Sequence, residues 1–206
     1  MEEMHLKFIE EKGLGNTIII LLSVLTFIIN IIMGGGNHLW IFLSGGGNLY
    51  GYGLAQYDLI FVDLQLWRLI SSGYLHMGIL HLVFNTYALC CLGNIVEKWL
   101  GTIKYLLTYH LLMIITVAIN CALFREITMA GASSGIFAVI GIFLVGNMSC
   151  KNKTWKQLPK GKRNYILGYL IIGNLISPYT TALHAISFLL GTICGLAKKR
   201  IYDNHL

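Results

Sequence analysis

The chain has 206 residues, 56% of them hydrophobic and only 12% charged, with a formal net charge of +6. An average soluble domain carries about 25% charged residues, and the mean hydropathy here is +0.68. Too few charged side chains remain to cover a water-facing surface, which excludes a soluble globular domain, a disordered chain and a disulfide scaffold, and suits the length to membrane spans of roughly 20 residues each.

In chain order, residues 1–16 are short and mixed in charge. They lack a basic start and a small-residue cleavage site, so the apolar run that follows, Thr17 to Met33, reads as a retained first span. Residues 34–66 contain two G-G-G runs and several aromatics, and read as an outer interfacial loop with short amphipathic pieces. A second span is expected at about Leu75–Val96, a third at Tyr105–Leu123 and a fourth at Thr128–Asn147. A fifth follows at Tyr165–Ile176 and a sixth at Thr181–Ala197. The expected organisation is a short cytoplasmic N-terminus (1–16), a six-span all-α membrane domain (17–200) and a cytoplasmic tail (201–206).

The basic residues give the orientation. Lys151, Lys153, Lys156, Lys160, Lys162 and Arg163 form one cluster, and Lys198, Lys199 and Arg200 a second, both where apolar stretches end. With the N-terminus inside, thirteen of the 15 Lys and Arg fall in inner segments and only Arg68 and Arg125 in outer ones. The basic clusters thus read as cytoplasmic anchors, and no interleaved aromatic–basic pattern marks a nucleic-acid partner. The five cysteines, Cys90, Cys91, Cys121, Cys150 and Cys194, have no metal-ligand or redox spacing and read mostly as small apolar packing residues.

Polar side chains inside hydrocarbon are costly and mark function by default. His81 and Asn85 lie in span two, His110 in span three, Ser133 and Ser134 in span four, and His184 in span six. His81, Asn85, Ser133 and His184 all fall in the outer halves of outside-to-inside spans, and His81 and Asn85 are four apart, on one helix face. His110 reads as a hydrogen-bonded interior histidine. Asn30, Asn120, Asn147, Asn164 and Asn174 lie near span ends and read as structural. Gly131 and Gly135 are four apart and make a small-residue packing surface as readily as a frame for a serine. Gly191 and Gly195 recur on span six with His184, so spans four and six can approach closely. No acidic residue lies within a span. The chemistry available is therefore a dyad: Ser133 as nucleophile and His184 as general base. His81, Asn85 and the backbone N–H of Ser133 could then serve a developing oxyanion.

These residues resemble the rhomboid family of intramembrane serine proteases from about Trp67 to Gly195. Trp67-Arg68 resembles the W-R pair of the first outer loop. His76, His81 and Asn85 resemble the H-x4-H-x3-N pattern of the second span, and Glu97 with Gly101 resembles its end. Gly131-Ala132-Ser133 resembles the G-x-S motif, and His184 with Phe188 and Gly191 resembles the sixth span. Ser134 stands where the family has a second Gly, and Ser187 where it often has Gly. The frame with Ser133 as nucleophile keeps Gly131 two before it, Phe137 four after it and Gly141 eight after it.

The resemblance implies a six-span rhomboid-like bundle, needing no metal or cofactor, that hydrolyses single-span membrane proteins near the outer end of the span, often after a small residue. It implies a bacterial inner membrane, termini in the cytoplasm and the site toward the extracytoplasmic side. The fifth span and the Ser177–Thr181 loop would form a lateral gate and cap, and Trp67 and Arg68 would brace the outer loop. Phe137 would pack on His184 or serve as a core aromatic. Two other readings are a catalytically silent rhomboid-like protein that holds membrane clients, and a small transporter or channel. Both serine and histidine are present, against the former. No paired acidic residues or inverted repeat supports the latter.

Overall fold

In hydrocarbon every backbone N–H and C=O needs an internal partner, so apolar runs of this kind fold as helices. The computed structural model describes residues 12–34, 37–149 and 154–197, with no β-strand among them. The expectations for residues 1–11, Cys150, Lys151, Lys153, Lys198, Lys199, Arg200 and the 201–206 tail lie outside the described residues.

The helices are α1 (Leu14–Ile32), α2 (His38–Ser44), α3 (Asn48–Gly53) and α4 (Arg68–Ser71), then α5 (Gly78–Leu100), which contains a π-helical turn at Leu89–Gly93. They continue with α6 (Thr102–Leu123), α7 (Ser133–Ser149), α8 (Thr154–Gln157), α9 (Lys160–Asn174) and α10 (Pro178–Ala197). Among the described residues α1, α5, α6 and α10 are long and apolar enough to cross a membrane, whereas α7 has 17 residues and α9 has 15. The chain is a polytopic all-α membrane protein.

Each helix that matches an expected span starts three to five residues from its expected position, α9 at Lys160 rather than Tyr165, and two of these starts shape the site. The fourth span was expected from Thr128, but α7 begins at Ser133. Met129 pairs antiparallel with Ala55, their N–H···O distances being 2.9 and 3.1 Å. Gly131 has φ +127°, and its N–H donates to the Ser72 carbonyl at 2.8 Å. A segment whose backbone is already engaged sideways cannot enter a helix, so the helix starts just beyond it. The sixth span was expected from Thr181, but α10 begins at Pro178. The Ser177 Oγ accepts from the Thr180 N–H at 3.1 Å, an N-cap followed by proline at the first helical position. Pro178–Thr181 is therefore the first turn of α10 and not part of a loop.

Two features set the positions of α7 and α10. The first is small residues. A Cβ on Gly191 would lie 2.7 Å from the carbonyl carbon of Ala138, so the α7 backbone occupies the space a side chain would need. The second is Ser187, whose hydroxyl donates to the Ser134 carbonyl and cross-links the two helices. The serine at this position is thus accommodated as a small, hydrogen-bonded residue. At the other end of the bundle, the buried Glu97 carboxylate accepts from the N–H groups of Gly15 and Asn16, both at 2.8 Å, and from the Thr102 hydroxyl at 2.7 Å. It satisfies the free N–H groups of α1 and faces the positive end of that helix.

Candidate active site

One cavity of about 480 Å³ opens between α5, α7, α9 and α10, and His81, Asn85, Ser133 and His184 all line it. The lining includes no Asp, Glu, Lys or Arg; its other titratable side chains are Tyr169 and Tyr179. Charge separation in such a site depends on fixed dipoles and hydrogen bonds.

His184 is 3% exposed and stacks on Phe137, with ring centroids 3.8 Å apart and planes 8° from parallel. Phe137 is one turn beyond Ser133 on α7, so the imidazole lies over the helix face that Ser133 begins. The Nδ1 atom of His184 is 3.2 Å from the Asn174 Oδ1. An amide oxygen only accepts, so Nδ1 carries the proton and Nε2 keeps its lone pair. That Nε2 is buried and has no hydrogen-bond partner among the described residues, the Ser133 hydroxyl included. Catalytic hydrogen bonds commonly close only when substrate is bound.

Ser133 is the first residue of α7. Its N–H has no carbonyl one turn back within the helix, and it sits at the positive end of the helix dipole. Gly131 holds this turn: its positive φ favours glycine, and a Cβ there would lie 2.6 Å from the His81 Cε1 and 2.8 Å from Nε2. The Tyr109 hydroxyl on α6 donates to the Ala132 carbonyl at 3.3 Å. Ser134 faces elsewhere. It is 1% exposed, its hydroxyl has no partner among the described residues, and it borders a separate small void beside Ser72 and Val117.

His81 and Asn85 are both oriented as donors. The Met77 N–H donates to His81 Nδ1 at 3.2 Å, so the remaining proton of the neutral ring is on Nε2, the atom beside Gly131. The Tyr169 hydroxyl on α9 donates to Asn85 Oδ1 at 2.8 Å, and the buried Asn85 NH₂ has no partner among the described residues. Tyr169 also packs its ring on Phe137 at 5.6 Å, so α9 contacts both sides of the cavity.

The other expected residues do not line the cavity. His76 is buried behind His81, with ring centroids 5.1 Å apart, and its Nδ1 donates to the Tyr74 carbonyl. The buried Arg68 guanidinium donates to the carbonyls of Leu54 and Gly51 and to Gln65 Oε1, and Trp67 Nε1 donates to the Tyr52 carbonyl. Both tie the outer loop to α4. His110 bonds the Tyr74 hydroxyl at 2.6 Å and the Leu106 carbonyl at 2.8 Å, as an interior histidine would.

Sequence reasoning missed Tyr169 and Asn174. A tyrosine in an apolar helix has no distinguishing pattern, and Asn174 reads as an interfacial amide until α9 and α10 are placed side by side.

A helical membrane bundle that encloses a serine, two histidines and an asparagine around one cavity is the class that fold and site define. A family model described as the Rhomboid domain matches residues 63–202. The chain belongs to the rhomboid family, a family of intramembrane serine proteases. It is 36% identical over 125 residues to the rhomboid protease GluP of Bacillus subtilis, covering 61% of this chain and 23% of that protein. It is 32% identical over 123 residues to rhomboid-like protease 3 of Toxoplasma gondii, covering 59% of this chain and 45% of that one. It is also 32% identical over 111 residues to the rhomboid protease GlpG of Yersinia pseudotuberculosis, covering 53% and 39%. The chain therefore spans less than half the length of these curated relatives.

Proposed function

We propose that the chain is an intramembrane serine endopeptidase that cuts single-span membrane proteins near the outer end of the span. The observation that carries this reading is the cavity shared by Ser133, His184, His81 and Asn85, with the His184 Nε2 and the Asn85 NH₂ buried and unpartnered among the described residues. Both are poised for groups that only a substrate brings.

Ser133 Oγ attacks the scissile carbonyl carbon while its proton passes to His184 Nε2. The carbonyl π electrons move to oxygen, and that oxyanion accepts from Asn85 NH₂, His81 Nε2–H and the Ser133 N–H. Collapse breaks the C–N bond, and the imidazolium Nε2–H protonates the leaving amine. A water then attacks the Ser133 ester, His184 takes its proton, and Ser133 is released with the proton returned to Oγ.

The substrate enters from the side, between α5 and α9. These helices are joined by the Tyr165 hydroxyl on the Phe84 carbonyl at 2.6 Å and by the edge-on Tyr87–Tyr165 pair, contacts that separation would break. In this reading α7 and α9 are also spans. Six spans put both termini in the cytoplasm and the cavity toward the extracytoplasmic side, in a bacterial inner membrane. Residues 1–16 and 201–206 are then short cytoplasmic segments flanking the 17–200 membrane domain.

The test is a reporter with one span and a helix-weakening outer half, reconstituted with the protein in liposomes. The expected product, located by mass spectrometry, ends in the outer part of the span, after a small residue. Products ending in the cytoplasmic half, or none, would contradict the proposal.

A further inference from the structure

We infer that Asn174 is a positioning residue for His184, so that α9 holds the base of the Ser–His pair in place. This rests on the reading of His184 as the general base.

The orientation of the amide is determined from both ends. Asn174 Nδ2 donates to the Leu170 carbonyl, one turn back on α9, at 2.7 Å. The NH₂ group is thereby committed to its own helix, and Oδ1 is the atom turned to His184 Nδ1, at 3.2 Å. The Asn174 carbonyl is held in turn by the Thr181 hydroxyl of α10 at 2.8 Å. The residue therefore bridges the end of α9 and the first turn of α10 through both backbone and side chain.

The consequence is chemical. With Oδ1 accepting from Nδ1, the neutral imidazole is the Nδ1–H tautomer, and the lone pair on Nε2 is available for the serine proton. No carboxylate lines the cavity to perform this task. A neutral amide does so without placing a charge in the bilayer, which would be costly. The last turn of α9 also packs against the ring edge, since a Cβ on Gly173 would lie 3.6 Å from His184 Cε1. The imidazolium formed during attack thus meets the carbonyl end of α9, which favours positive charge.

The test combines a spectroscopic readout with kinetics, on the full chain in detergent or liposomes. With ¹⁵N-labelled histidine, assigned by comparison with His184→Gln, the His184 shifts are expected to report the Nδ1–H tautomer. In Asn174→Leu they are expected to move to a mixture with the Nε2–H form. The same variant is expected to lower kcat by about tenfold or more with KM within about twofold, short of the ~10⁴-fold loss from disabling a triad carboxylate. Asn174→Asp keeps an acceptor for Nδ1 but loses the donor to the Leu170 carbonyl, and is expected to retain the Nδ1–H tautomer. Thermal melting of each variant identifies loss of fold. A wild-type Nε2–H tautomer would overturn the inference, as would an unchanged kcat in folded Asn174→Leu. A wild type with no Ser133-dependent hydrolysis would overturn the protease reading, and this inference with it.

Discussion

Ser133→Ala is expected to reduce cleavage of a single-span reporter to the assay floor, a loss of order 10⁵-fold or more, whereas Ser134→Ala stays within about tenfold of wild type. Adjacent residues on a helix point about 100° apart, and here the two serines are directed to different sides of α7. Ser133 lines the main cavity. Ser134 instead borders the void beside Ser72, and its carbonyl accepts from Ser187 across the α7–α10 contact. The hydroxyl of Ser134 has no partner among the described residues to lose, so its removal leaves no orphaned group there. Initial rates of both variants in liposomes, with expression and melting matched, decide the matter. Equal loss in both, or greater loss in Ser134→Ala, would refute the assignment.

The second large effect concerns the oxyanion. Removing one preorganised donor from such a site typically lowers kcat by about 10²- to 10³-fold, and Asn85→Ala is expected to fall in that range with little change in KM. Tyr169→Phe removes only the hydroxyl that holds Asn85 Oδ1 and keeps the ring against Phe137. It leaves the NH₂ in place but free to turn, so its expected loss is smaller, about tenfold. The two substitutions act on one group. In an Asn85→Ala background, Tyr169→Phe should therefore have almost no further effect on kcat. Additive losses would mean that Tyr169 acts through packing instead.

Much of this was readable from residue type alone, for reasons that differ by position. The long helices α1, α5, α6 and α10 were legible because apolar runs long enough to cross a bilayer have few other fates. His81 and Asn85 were legible as a pair because four residues make one helical turn. The close contact of α7 and α10 followed from Gly191 and Gly195, which leave room only if another backbone fills it. The start of α7 was not legible. Apolar Met129 and Ala130 look helical, and only the partners Ala55 and Ser72, far away in sequence, draw them into an extended segment. The start of α10 was not legible because Ser177-Pro178 resembles a helix stop, whereas α9 already ends at Asn174 and the pair caps α10. The roles of Tyr169 and Asn174 depend on how α9 packs against α5 and α10, which local pattern does not specify. Phe137 was read equally as a ring for His184 or as core, and the structure stacks it on His184.

In the proposed mechanism Ser133 is a nucleophile made reactive by His184. Labelling with a fluorophosphonate, followed by peptide mass spectrometry, tests it without any need to know the natural substrate. The expected adduct lies on Ser133, forms in the wild type and is lost in His184→Ala. An adduct on Ser134, or one on Ser133 that forms equally well without His184, would contradict the account.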